Sequence, residues 1–230
     1  MIYLEVMKTD YSKKYLRKAR LFAALLQLTP FVRAVFLTGS LAQGKAKQSS
    51  DIDFLIVAKS GRIFTTRFLS VLSVLILGQK RPKDETRSHV GKFCLNHFLT
   101  DNYLKIPMDR GQDINNYCAK NFQETRVLWE DGHFFDQFVE QNPLIFRSSR
   151  SLNHSYHTKI KNILIFEIWQ RFVEMILGGK LGLIVENKLK TYQIRSIEND
   201  SRTGQYPDLI VYNDQEMRFH PPKSEINCSI

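Results

Sequence analysis

The segment from Phe36 to Ala58 constrains this chain more than all the rest of it. An apolar run leads into a Gly39-Ser40 turn, a short polar connection follows, and a second apolar run opens with Asp51-Ile52-Asp53. Apolar runs of this length bounded by turn residues read as buried strands. Side chains on a strand alternate, so Asp51 and Asp53 face the same side while Ile52, Phe54 and Ile56 face the other. Two carboxylates placed this way repel each other unless a cation lies between them. Hard oxygen ligands suit magnesium, which keeps some of its waters and completes its shell with phosphate oxygens. Gly39 permits a sharp turn and a close backbone approach, and Ser40 offers a hydroxyl. Leu41-Ala42-Gln43 has room for one helical turn whose free N–H groups would face a phosphate. One loop for a triphosphate and one strand for a metal is the division of labour that phosphoryl and nucleotidyl transfer require.

Gly39-Ser40, ten intervening residues and then Asp51-Ile52-Asp53, each motif carried on an apolar strand, resembles the signature of the DNA polymerase beta-type nucleotidyltransferases. The resemblance covers roughly residues 10–105. It implies transfer of an NMP from an NTP to a hydroxyl acceptor with release of pyrophosphate, using Mg2+ or Mn2+. It implies metal ligation and catalysis by Asp51 and Asp53, and nucleotide binding by Gly39 and Ser40; Ser50 is counted with them, and Lys45, in the connection, reads either as a phosphate contact or as part of a solvated loop. In this superfamily a third strand usually brings a third acid to the metals. Asn96 stands nearest that place in the run Lys92-Phe93-Cys94-Leu95-Asn96-His97-Phe98-Leu99. Asparagine carries no charge and is a poor base. Asp101 is the alternative third ligand if the strand is bulged; the competing fate for it is a turn at Thr100-Asp101-Asn102. His97 is expected on the face opposite Asn96.

The composition is that of a folded chain: 230 residues, 43% hydrophobic, with 16 Phe. A net charge of +10 favours a polyanionic partner or a phosphate-rich ligand. Cys94, Cys118 and Cys228 show no metal-binding spacing, and they read as reduced thiols in a cytoplasmic protein. Glu5 interrupts the only apolar stretch at the N-terminus, which therefore does not read as a secretory signal. No uncharged apolar run is long enough to span a bilayer.

The expected fold is α+β: a small mixed sheet of the polymerase-beta palm type flanked by helices, then a mainly helical C-terminal region. The division falls at residues 1–107 and 108–230. A helix from about Tyr11 to Leu28 precedes strands at Val32–Leu37 and Ile52–Val57. A helix at Ile63–Leu77 would bury Phe64, Phe68, Val71, Leu72 and Leu75, with Arg67 snorkelling to solvent. Gln79–His89 reads as a charged loop or lid, and Gly91–Thr100 as the third strand. Gly111–Glu140 reads as helices, including Val127 and Leu128, with Phe134 opening the last of them. His154 and His157, three apart, lack a third ligand and read as surface histidines. Asn162–Lys190, broken at Gly178-Gly179, reads as two packed helices that form an accessory region or the surface for a second copy or a protein partner. A short strand near Leu209–Tyr212 and a tail holding His220 would close the chain.

Two functions are carried from these residues. The first is a nucleotidyltransferase acting on an RNA end, a protein or a small molecule. The second is a catalytically impaired nucleotide-binding or antitoxin-like regulatory member, for which Asn96 speaks.

Overall fold

The computed structural model describes residues 10–82, 90–108, 119–147, 156, 158–205 and 210–219. The expectations for the N-terminus, for residues 83–89 of the charged loop and 111–118 of the segment after it, for His154 and His157, and for His220 and Cys228 fall outside the described residues.

Among the described residues, six strands form one open mixed sheet in the order β4-β1-β2-β3-β6-β5. They are β1 (Val32–Thr38), β2 (Ile52–Ala58), β3 (Phe93–Thr100), β4 (Arg126–Glu130), β5 (Ile210–Tyr212) and β6 (Glu216–Phe219). The helices are α1 (Asp10–Leu26), α2 (Gly39–Ala42), α3 (Ile63–Ile76), α4 (Phe134–Gln141), α5 (Pro143–Phe146), α6 (Leu164–Leu177), α7 (Lys180–Glu198) and α8 (Ser201–Gln205). β1 and β2 pair antiparallel, whereas β2 and β3 run parallel with α3 as the crossover between them. A sheet with helices on its faces, as the α+β expectation had it, is what forms.

The strand alternation sorts the core into two layers. Ile52, Phe54 and Ile56 pack with Phe22, Phe93 and the α1 residues Tyr15, Ala19 and Leu26 on one face. Leu55 and Val57 pack with Phe36, Phe122, Phe135 and Phe138 on the other. Both faces are covered, which is why the central strands are apolar almost throughout.

Several local expectations are corrected. Arg126–Glu130 is a strand, not part of a helix, and it pairs with β1. Three apolar residues carry no usable period; the antiparallel partner, some ninety positions earlier, decides the matter. α3 buries Thr65, Thr66, Ser70 and Val74, while Leu72, Leu75 and Ile76 stay exposed. Phe64 is buried as expected, and the hydroxyls of Thr65 and Thr66 turn inward to partners. Glu186 of α7 accepts from the backbone N–H groups of Phe64 and Thr65, both at 2.9 Å, and from the Thr65 hydroxyl. A carboxylate thus closes the N-terminus of α3. Arg67 does not snorkel. Its guanidinium donates to Gln193 Oε1 at 2.6 Å and lies over the Phe219 ring, and burial pulls its pKa down to about 10.

α6 and α7 are the two helices expected after Asn162, and they separate at Gly178-Gly179. Glu174 anchors α6 to the sheet: it pairs with Arg33 at 2.7 Å and accepts from the Phe31 N–H. Arg62 donates to the carbonyls of Leu177 and Gly178 at the end of α6, where the helix dipole favours a cation.

Candidate functional site

β1 delivers the chain to the turn, and α2 begins there. Gly39 takes φ +67°, a left-handed conformation that only glycine adopts without strain. Its missing side chain matters as much: a Cβ at this position would run into the Asp53 carboxylate. The turn and the acid strand are therefore in direct contact. The backbone from Ser40 folds back, with the Lys45 N–H donating to Ser40 O at 2.9 Å. Ser40 Oγ lies 3.3 Å from Ser50 Oγ, which accepts from the Lys47 N–H at 2.9 Å. Gly39, Ser40 and Ser50 thus meet, while the Lys45 side chain is exposed. The Tyr15 hydroxyl, donating 2.6 Å to Gln48 O, ties this connection to α1.

Asp51 and Asp53 lie on one side at the start of β2. Asp53 stands opposite Cys94 in the parallel register of β3. Among the described residues, Asp51, Asp53 and Cys94 form one cluster whose ligand atoms all lie within 4.8 Å of one another. Asn96 joins it: its Nδ2 donates to Asp53 Oδ1 at 3.2 Å and to Cys94 Sγ at 3.0 Å.

β3 carries a bulge here. Phe54 faces Leu95 but Leu55 faces His97, so Asn96 is the extra residue. The bulge corrects the expectation for His97. Leu95 and Phe98 pack on the α1 face of the sheet, and the two residues between them both turn to the opposite face. Asn96 reaches Asp53 there, and His97 meets Phe122 and lies 3.2 Å from Glu216. Asp101 does not join the cluster. At the far end of β3 its carboxylate accepts from the Ser60 N–H at 2.8 Å, the turn fate.

Two neighbours of the acids were not singled out by sequence. Cys94 sits two positions before Asn96 and so shares its face; that spacing was a usable signal. Arg81 had none. Gln79 and Arg81 bond to Phe93 at the start of β3 (Phe93 N–H to Gln79 O, 2.7 Å; Arg81 N–H to Phe93 O, 3.0 Å), which carries the guanidinium to Asp51 Oδ2 at 2.7 Å and Cys94 Sγ at 3.6 Å.

The electrostatics are those of a site short of positive charge. Burial, followed by the Asp51 charge, pushes the Asp53 carboxyl up to about 7; Arg81 and Asn96 only partly oppose this. Burial and then the same two carboxylates push the Cys94 thiol well above its ordinary range. A divalent ion beside these three groups would remove the penalty on all of them, so the donor set fits a metal.

Residues 18–100 match the family described as the nucleotidyltransferase domain, a stretch that spans β1, the Gly39-Ser40 turn, the two aspartates and all of β3. The match is consistent with the polymerase beta-type superfamily and ends at Thr100. No curated protein and no solved structure matches the chain.

Proposed function

We propose that this protein is a metal-dependent nucleotidyltransferase that moves an NMP from an NTP to a hydroxyl acceptor. The observation that carries the reading is the contact between Gly39 and the Asp53 carboxylate: the phosphate turn and the metal strand form one site within the matched domain. Asp51 and Asp53 would hold Mg2+ or Mn2+, which draws charge from the triphosphate oxygens when bound. The backbone at Gly39 and the hydroxyls of Ser40 and Ser50 would hold the β- and γ-phosphates. Lys45, exposed above the turn, supplies charge to the same phosphates. Arg81 serves as resident counter-ion to Asp51 and is free to turn to the triphosphate once the carboxylates have another cation. The acceptor oxygen bonds to the α-phosphorus, the bond to the bridging oxygen breaks, pyrophosphate leaves, and the acceptor proton passes to solvent. Acceptors compatible with the basic chain are an RNA end, a protein hydroxyl or a small molecule, in a cytoplasmic setting.

A second reading, an impaired nucleotide-binding or antitoxin-like regulator, is favoured by the pair Cys94 and Asn96. The β3 residues facing Asp53 include no carboxylate. Melting temperature with each NTP, with and without Mg2+ or Mn2+, tests the shared premise, because a ligand of the native state raises it by mass action. A metal-dependent rise lost in Asp53→Asn supports the site. Pyrophosphate release with candidate acceptors then separates the transferase from the regulator. No rise with any NTP removes the transferase and leaves the antitoxin-like regulator, which acts through a partner.

For the accessory helices we take a second copy of the chain as the partner. Leu164, Ile165, Ile168, Trp169, Phe172, Met175 and Ile176 are exposed on α6, and Leu181, Leu183 and Ile184 on α7. Positions 165, 168, 172 and 175 follow the 3-4-3 spacing of a helix-pairing seam. Together the ten side chains leave on the order of 1,000 Å² of apolar surface, near the ~800 Å² that each partner contributes to a standard interface and above what monomers usually expose. Among the described residues no helix is long and apolar enough to cross a membrane.

A further inference from the structure

We propose that Cys94 is itself a ligand of the cation, so that this site selects a softer divalent ion (Mn2+, Co2+, Zn2+ or Cd2+) over Mg2+. The inference rests on the reading of Asp51 and Asp53 as metal ligands and adds a sulfur to their oxygens.

Four observations converge. Cys94 Sγ lies within the same 4.8 Å cluster as the two carboxylates, on the strand position directly opposite Asp53. Cys94 is buried among polar and charged groups, with Arg81 and Asn96 against its sulfur and Asp53 as its strand partner. Asn96 Nδ2 bridges Cys94 Sγ and Asp53 Oδ1 and holds the two donor atoms on a common side, the way an outer-shell partner orients metal ligands. Finally, the Arg81 guanidinium reaches both Asp51 Oδ2 and Cys94 Sγ, marking the place between oxygen and sulfur where the protein already puts positive charge.

The chemistry follows from the donor set. Magnesium demands hard oxygen ligands at about 2.0–2.1 Å in a near-octahedral shell. A thiolate is larger and softer, binds zinc at about 2.3 Å, and favours later, softer metals. On binding, the S–H bond of Cys94 breaks, a metal–sulfur bond forms, and the proton goes to solvent; no oxidant or reductant is needed. Asn96, two positions along β3 from Cys94 and so on its face, supplies a brace where the superfamily supplies an acid.

The test uses full-length protein carrying Cys118→Ser and Cys228→Ser, which leaves Cys94 as its one thiol, titrated with Co2+ and Cd2+ alone and followed by near-ultraviolet sulfur-to-metal charge-transfer absorption and by calorimetry. The expected result is a charge-transfer band that saturates at one equivalent. Cys94→Ser should abolish the band, and Asn96→Ala should weaken soft-metal affinity by about 10–100-fold. Calorimetric Cd2+ binding without a charge-transfer band overturns the sulfur ligand and leaves the two-aspartate site standing. Failure of every cation, hard or soft, to bind the wild type overturns the proposal together with the reading beneath it. Should Cys94→Ser fold poorly, the band in the protein with Cys94 as its one thiol decides: saturation at one equivalent supports the sulfur ligand, and soft-metal binding without the band refutes it.

Discussion

At Asp53 a single carboxyl makes the stability of the metal-free protein depend on pH. Its folded pKa of about 7 lies above the ordinary 3.8, so the folded state binds this proton more tightly than the unfolded state. The contribution to stability is whole below about pH 4 and is lost as pH rises through about 7. The metal-free melting temperature should therefore fall across that window, and Asp53→Asn should flatten the fall. Asp51→Asn removes the second cause of the raised pKa and should also lessen the fall, while it takes away the partner of Arg81 and should lower the melting temperature as a whole. Differential scanning calorimetry of both variants across the window checks the pair. At Gly39, alanine meets two obstacles at once, a left-handed backbone and the Asp53 carboxylate. Gly39→Ala should cost at least about 1–2 kcal/mol in urea unfolding and should abolish the metal-dependent NTP shift.

Between elements, buried polar side chains do the joining. Glu186 on α7 caps α3, and Gln193, one helical turn pair further on, donates to the Phe64 carbonyl at 2.8 Å and receives Arg67. Glu186→Ala strands two backbone N–H groups and a hydroxyl; a loss of about 2–3 kcal/mol is expected. Glu186→Gln keeps an acceptor and should lose less, as urea midpoints will show. The seam on α6 is the opposite case, apolar side chains left facing water. Phe172→Glu with Met175→Glu should turn a dimer into a monomer without lowering the melting temperature of the protomer, measured by light scattering after size exclusion. A wild type that stays monomeric at high concentration removes the second copy as occupant.

On the scale of the whole molecule, the second half of the chain finishes the sheet that the first half begins. β4 pairs with β1 on one side, and β6 with β5 extends β3 on the other. We therefore expect one cooperative unfolding transition. Trp129 lies buried on β4 and Trp169 is half-exposed on α6. Single-tryptophan variants that report each in turn should melt together with the far-ultraviolet dichroism. A separate transition for Trp169 would mean that the accessory helices unfold apart from the sheet that holds Trp129.

The amino-acid sequence determined the local parts of this protein: the strands from Val32 and Ile52, the helices from Asp10, Ile63, Leu164 and Lys180, the turn at Gly39 and the shared face of Asp51 and Asp53. Each of these is written in a short period or a single special residue, which neighbours along the chain suffice to read. Tertiary structure alone decided that Arg126–Glu130 is a strand, that α3 buries its hydroxyls, that Arg67 is sequestered and that Arg81 reaches Asp51. It also decided that the β3 bulge turns Asn96 and His97 to one face. These depend on partners from about a dozen to more than a hundred positions away: β1 for β4, Glu186 and Gln193 for α3, Phe93 for Arg81, Phe54 and Leu55 for Asn96. A buried polar group is settled by whichever partner the fold brings to it, and no local pattern in the chain encodes that partner.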